Sequence, residues 1–468
     1  MHPLHLSSDE FRSLADRVTT LAADFLAQLN DARSFPPCSG RDVTARFDEP
    51  YPAAALQARA LDALEDVIAM SRAPTPRFYG YVLGSGEPVA ALADMLASVL
   101  NQNVTAWRSA PVAVTIERQV VQWLAAAMKC DGFTGSLCGG GSAANFMALA
   151  MAREAKLPAN EAGARPGVIY ASSEVHMSIP KAVALLGLGR ANLRSIPVDE
   201  QFRMRAEGLR TAIAADLAAG RTPIAVVATA GTVATGSIDP ISEIAAICRE
   251  HDLWLHVDGA YGALAALAVP DRFSGLAAAD SLSLDAHKWL YQPLDCGVLL
   301  FKNAAAARNA FSFTGAYARS LESDPVEGFA FFEESAELSR RFRALKLWLS
   351  LRYHGVEAFR AAIHSDLRHA RQLVEAIHRT PELELLAPVA LSAVCFRYRP
   401  PESGSADLDE LNAAILRRVI GRGRVYLSNA SIGGRFALRA CFINHRTTAA
   451  DVAEVVPEIL GAARDVRV

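Results

Sequence analysis

The chain reads as an α/β protein, with a mostly parallel sheet in a large domain, a smaller C-terminal α+β domain and a helical N-terminal segment. Three observations predict this. Between about 110 and 300, short apolar runs alternate with helical stretches, the pattern of strands whose faces are both covered by helices. Beyond about 360 the order changes to helix, strand, helix, paired strands and a last helix. Ahead of both, the apolar residues recur at helical spacing with no strand signal. The expected divisions are 1–85, 86–360 and 361–468.

In the first segment, residues 9–29 and 53–70 carry helical periodicity, and 34–40, rich in Pro, Ser and Gly, connects them. Pro74 and Pro76 end the second helix. With no strands of its own, this segment is expected to pack on the main domain or on another subunit. In the large domain, strands are expected at 167–171, 193–198, 224–230, 253–257, 281–284 and 297–301, followed by a helix at 336–353. The last region is expected to hold a helix at 355–380, a strand at 391–398, a helix at 408–421, strands at 424–428 and 436–442, and a helix from 448. Ligands of an open parallel sheet gather at the carboxyl ends of its strands. Asp258 and the segment 285–288 both fall there.

Composition bounds the function. With 468 residues, 51% of them hydrophobic and only 21% charged, the chain has the make-up of a compact enzyme-sized protein rather than a disordered one. Forty-seven basic residues against 50 acidic leave a net charge of −3, so no global field points to nucleic acid or an anionic membrane as partner. The first residues, MHPLHLS, lack the basic and apolar regions of a secretion signal, and no run approaches the roughly 20 apolar residues of a membrane span. A cytoplasmic protein is expected. Seven cysteines occur without a CxxC pair, which suits reduced thiols better than disulfides or a metal site.

The most informative stretch is SLDAHKW at 283–289, where Lys288 follows a histidine at the end of an apolar run. Thirty residues upstream, LWLHVDGAYG at 253–262 is a short apolar strand that ends in Asp258 and small residues. A lysine amine that forms an aldimine and a carboxylate that keeps a pyridine nitrogen protonated are what pyridoxal phosphate needs to act as an electron sink. GSLCGGGSAAN at 135–145 opens a helix, whose first amides can cradle an anion. His176 lies at a strand end before another helix, and TAGTVATG at 229–236 is a small, hydroxyl-rich loop at a further strand end.

Each feature has a plainer reading. A glycine-rich loop can be an ordinary tight turn, His176 a helix-start residue, His287 a structural histidine, and Lys288 a lysine that reaches out to water. Their company at predicted strand ends of one domain favours the chemical reading. The glycines match neither a dinucleotide fingerprint nor a P-loop, which sets aside a nicotinamide enzyme on the same kind of sheet.

Taken together, PRFYGY at 76–81, HVDGAYG at 256–262, DAHKW at 285–289, RRFRALK at 340–346 and NHRTT at 444–448 resemble the group II pyridoxal-phosphate decarboxylases over nearly the whole chain. The resemblance implies a fold type I enzyme, a homodimer with shared active sites, that converts an L-amino acid to its amine and carbon dioxide. It implies that Lys288 forms the internal aldimine, Asp258 pairs with the pyridine nitrogen, His176 stacks on the ring and Ala260 lies on the other face. Gly141, Ser142 and His287 would hold the phosphate with Asp285 near it, and Thr232 or Thr235 would lie close to the cofactor. Tyr317 stands where the family places the proton donor of a mobile loop, although it also reads as an exposed loop aromatic.

Departures bear on the substrate. Asp285 replaces an asparagine of the animal aromatic enzymes, and Val82, Gly84, Asn103 and Thr105 replace bulkier or apolar residues around the pocket. Tyr79, Tyr81 and Trp107 still offer aromatic surface, so an aromatic substrate leads. The alternatives are a glutamate or other acidic decarboxylase, an aldehyde-forming oxidative decarboxylase, an aminotransferase-like enzyme, and a cofactor-binding chain that no longer catalyses.

Overall fold

The computed structural model describes residues 4–51, 54–313, 324–401 and 408–467. Seven strands, β1 (Thr134–Cys138), β2 (Gly167–Ser172), β3 (Leu193–Ile196), β4 (Thr222–Thr229), β5 (Trp254–Asp258), β6 (Ser281–Asp285) and β7 (Gly297–Phe301), form one sheet in the order β1-β7-β6-β5-β4-β2-β3. Strands β3, β2, β4, β5 and β6 run parallel, and β7 runs against both β6 and β1. The architecture is the α/β one that the alternation predicts.

Side chains of the central strands alternate between two cores. Val226, Leu255, Val257 and Leu282 enter one, and Ala225, Val227 and Trp254 enter the other beneath the helix Gly141–Lys156. Both faces are thus buried, which is why β4 reads as an almost unbroken hydrophobic run, while β5 and β6 place His256, Asp258, Ser281 and Ser283 on the buried side toward the helix.

A second, four-stranded sheet in the order β10-β11-β9-β8 comprises β8 (Leu383–Leu385), β9 (Ala393–Tyr398), β10 (Ser428–Ile432) and β11 (Arg435–Cys441). The helices Val356–His378, Leu408–Arg422 and Val455–Arg467 pack with it. The first of these runs across the expected division at 360/361.

Three expectations are corrected. The segment 336–343 is not helical, and the helix begins at Ala344. Here Arg340 is wholly buried, pairs with Glu117 and donates to the carbonyls of Val104 and Leu137, while its amide donates to Asn103 Oδ1. These tertiary bonds replace helical ones. The strand expected at 424–428 lies instead at 428–432, set by the two-residue turn Gly433-Gly434, both at positive φ, which closes a hairpin onto β11. β1 occupies residues read as a loop, because its pairing with β7 outweighs its small side chains.

At the N-terminus, Ser7 and Glu10 form a reciprocal cap for the helix Ser8–Gln28: Glu10 N donates to Ser7 Oγ at 3.2 Å and Ser7 N to Glu10 Oε2 at 2.8 Å. Neither this helix nor Gly40–Phe47 nor Ala63–Met70 buries a single residue. Among the described residues no helix is long and apolar enough to cross a membrane.

Candidate active site

A cavity of about 240 Å³ opens at the carboxyl ends of the parallel strands. Asp258 is the last residue of β5, between Thr229 of β4 and Ser283 of β6. Lys288 lies in the single helical turn that follows β6. Because β7 runs in reverse, its first residue, Gly297, brings the glycine loop to the same end: a Cβ there would sit 2.3 Å from the Gly140 Cα. Gly140 has φ +120°, which a side chain would strain, and a Cβ on Gly141 would come 2.6 Å from the Ala260 Cβ. The helix Gly141–Lys156 starts here with no side chain capping its first amides, so its N-terminus faces the cavity open to an anion.

The charged groups inside have partners in their own chain. Asp258 Oδ2 accepts from Asn145 Nδ2 at 2.9 Å, and Oδ1 accepts from Ser283 Oγ at 3.1 Å and from the Ala260 amide at 3.2 Å. Lys288 Nζ stands 2.9 Å from Asp285 Oδ2, which lies 3.5 Å from His287 Nε2. Burial holds the His176 and His287 imidazoles below the usual histidine range, favouring their neutral forms. Two buried oxygens at the cavity, Asp285 Oδ1 and Thr229 Oγ1, have no partner within the described chain. Gly84 presses on the lysine turn from outside: its amide donates to the His287 carbonyl at 3.1 Å, and a Cβ would sit 2.3 Å from that oxygen.

Of the residues singled out in the sequence, Gly141, Ser142, His176, Asp258, Ala260, Asp285, His287 and Lys288 line this cavity. Thr232 and Thr235 do not. They are buried and bond to each other at 2.8 Å, and it is Gly231 and Val233 of that loop that reach the cavity. Tyr79 is fully buried against Phe442 in the C-terminal core, away from the cavity. Tyr81 is half exposed and its hydroxyl meets that of Tyr426 at 2.9 Å. Asn103, Thr105 and Trp107 lie on a segment that pairs with 329–340, outside the cavity of their own chain. Tyr317 lies outside the described residues. Asn145, Thr229, Tyr261 and Leu294 also line the cavity. Asn145 ends the glycine-rich run, Thr229 opens the hydroxyl-rich loop and Tyr261 lies in the motif at 256–262, whereas nothing in the sequence pattern marked Leu294.

A primary amine, a buried carboxylate and an uncapped helix N-terminus therefore share one cavity, the set that a ring aldehyde bearing a phosphate requires. Residues 44–399 match the pyridoxal-dependent decarboxylase conserved domain. The chain belongs to this family. An aromatic-L-amino-acid decarboxylase of Bacillus atrophaeus is 36% identical to it over 84% of this chain and 82% of that protein. The crystal structure of Catharanthus roseus tryptophan decarboxylase in complex with L-tryptophan superposes over 100% of both chains with a TM-score of 0.90 at 29% identity. That of Rhodiola rosea 4-hydroxyphenylacetaldehyde synthase covers 98% of this chain and 99% of its own, with a TM-score of 0.89 at 28% identity. This decarboxylase is thus a pyridoxal-phosphate-dependent carboxy-lyase of amino acids, and the cavity's residues fit that cofactor.

Proposed function

We propose that this enzyme converts an aromatic L-amino acid to its amine and carbon dioxide, as a cytoplasmic homodimer. The reading is carried by its 36% identity to the Bacillus aromatic-L-amino-acid decarboxylase along most of both chains.

Lys288 would supply the amine that carries the cofactor, Asp258 the carboxylate for its ring nitrogen, and His176 and Ala260 would pack on its ring. Gly141, Ser142 and His287 would hold the phosphate, with Asp285 balancing Lys288 beside them; Thr232 and Thr235 support the loop behind Val233. When bound, pyridoxal phosphate supplies the electron sink for the bond to the departing carboxylate. Tyr317 returns a proton to the α-carbon, a role that rests on its sequence position alone.

The dimer has support in three N-terminal helices that bury nothing in their own chain and in the exposed Leu92, Met95, Leu96 and Val99 of the helix Pro88–Leu100. Asn103, Thr105 and Trp107 then serve the site of the second copy, with Tyr81 at its rim. The seven cysteines are all free, which suits a reducing compartment.

Purified holoenzyme offered aromatic, acidic and imidazole amino acids, with products identified by mass spectrometry, tests the reading. An amine from an aromatic substrate is expected. An amine from glutamate overturns the substrate class, and an aldehyde with hydrogen peroxide overturns simple decarboxylation in favour of the synthase-like reaction. A keto acid points to aminotransferase chemistry.

A further inference from the structure

Behind the cavity, on the face of β5 covered by the helix Gly141–Lys156, lies a row of polar side chains of which the reaction as described uses only Asp258. Trp254, His256 and Asp258 alternate onto this face, and Asn145, one turn into the helix, sits against the last two. His256 is completely buried, and burial pushes its imidazole down to about 4, so it is neutral. The groups at the two ends of its bonds, the Trp254 indole and the Asp258 carboxylate, set their direction.

Trp254 Nε1 can only donate, and does so to Ser281 Oγ at 2.9 Å. At the other end the Asp258 carboxylate takes an Asn145 amide hydrogen, which turns Asn145 Oδ1 toward His256 Nε2 at 2.9 Å; the imidazole hydrogen then lies on Nε2, and Ser281 gives its own to His256 Nδ1 at 2.9 Å. With its oxygen so engaged, Asn145 has two N–H groups and two acceptors for them: Asp258 Oδ2 and Ser178 Oγ, each at 2.9 Å. Ser178 passes its hydrogen to His176 Nδ1 at 2.8 Å, and its amide points to the same nitrogen at 3.2 Å. Nδ1 of His176 is therefore an acceptor twice over, and its hydrogen resides on Nε2.

We infer that Asn145 is a positioning residue of the decarboxylation, joining Asp258 to His176 so that the ring-nitrogen carboxylate and the ring-facing imidazole are held in one hydrogen-bond chain of fixed direction. The inference rests on the roles proposed above for Asp258 and His176. Removing the amide leaves Asp258 without one of its three donors, which favours the carboxyl over the carboxylate and draws the proton away from the ring nitrogen. It also leaves the Ser178 hydroxyl without the donor that orients it, so His176 Nδ1 keeps the Ser178 amide but loses a directed hydroxyl bond and the imidazole is held less firmly.

The test uses holoenzyme reconstituted with pyridoxal phosphate labelled with ¹⁵N in the ring. In Asn145→Ala the ring-nitrogen resonance is expected to move from that of a protonated toward that of an unprotonated pyridine. kcat should fall roughly 10- to 100-fold, the range of a lost hydrogen bond to a charged group, with KM changed much less. Ser178→Ala, which spares the Asp258 branch and leaves a smaller void, should lower kcat while the nitrogen resonance stays put. If Asn145→Ala, folded by circular dichroism, keeps both the wild-type resonance and kcat, the inference is overturned. Should Asn145→Ala not fold, an unchanged kcat in Ser178→Ala overturns the His176 half. Asp258→Asn separates the two levels: if it too leaves the resonance unchanged, the assigned role of Asp258 fails, whereas a response there without one in Asn145→Ala sinks only the inference.

Discussion

The strand ends around the cavity and the N-terminal helices solve the same problem, where to put side chains, in opposite ways. At the strand ends polar groups are buried and, apart from Asp285 Oδ1 and Thr229 Oγ1, find partners within one chain: Asp258 has three donors, and Lys288 and Asp285 pair. In the helices Ser8–Gln28, Gly40–Phe47 and Ala63–Met70 nothing is buried, and Phe11, Leu26, Phe47 and Val67 face outward. The difference teaches that the residues proposed to hold the cofactor gather in a single chain. Asn103, Thr105 and Trp107, proposed for the substrate, do not join them there.

The largest effect should come from the amine. Lys288→Ala is expected to abolish the visible absorption band of the reconstituted enzyme and to lower turnover by several orders of magnitude while the fold stays intact. A retained band would remove the lysine from its assigned place and with it the cofactor side of the comparison.

Next is the scaffold beneath both sides. Arg340 is fully buried with Glu117 and ties the 103–107 segment to β1. Arg340→Met strands the Glu117 charge and should cost about 3–5 kcal/mol in urea unfolding. Adding Glu117→Gln should recover part of that loss; no recovery would mean that the carbonyl bonds, rather than the charge pair, carry the stability.

A pH effect sharpens the comparison at the joint between the lysine turn and the C-terminal region. Tyr291, three residues past Lys288, donates to Asp366 at 2.8 Å, the Asn444 amide points to it at 3.4 Å, and His369 Nδ1 stands 4.0 Å away. Burial pushes the Asp366 carboxyl up to about 7. A carboxyl that holds its proton more tightly when folded stabilises the fold at low pH, and this contribution is lost as pH rises from about 4 through about 7. It amounts to at most about 4 kcal/mol for a shift of this size. Asp366→Asn, which retains an acceptor for Tyr291, should flatten the stability profile over that window. An unchanged profile would show that the joint does not titrate there.

The smallest effect belongs to the outward face. Leu96→Glu should leave the stability of the single chain within about 0.5 kcal/mol, as surface changes do, yet weaken self-association by about 10-fold or more in sedimentation equilibrium. Equal association of variant and wild type would place the interface elsewhere.

Legibility followed the physics of each element. β7 was read to the residue at 297–301 and β5 within one, because strands buried on both faces are written as unbroken apolar runs. β1 was missed, since Thr134, Gly135 and Ser136 carry no strand signal and owe their conformation to β7 and to the Arg340 bond at Leu137. Tyr79 drew attention as an aromatic near the expected pocket. Its ring is instead core, a distinction that depends on Phe442, more than 300 residues away. Asn145 was visible only as the end of a glycine-rich run, because its meaning lies in partners from β5 and the 176–178 turn.

By itself, the sequence determined the α/β class, the family and the cluster of Asp258, His287 and Lys288. Apolar runs and motifs of fixed spacing are local properties, and the chemistry of an amine and a carboxylate at strand ends survives any detail of packing. Only the tertiary structure decided which loop residues face the cavity, that β7 reverses to bring Gly297 against Gly140, and that one asparagine can link the carboxylate to the imidazole. Those are relations between segments far apart in the chain, and hydrogen bonds and close backbone contacts exist only once the sheet has set their distance.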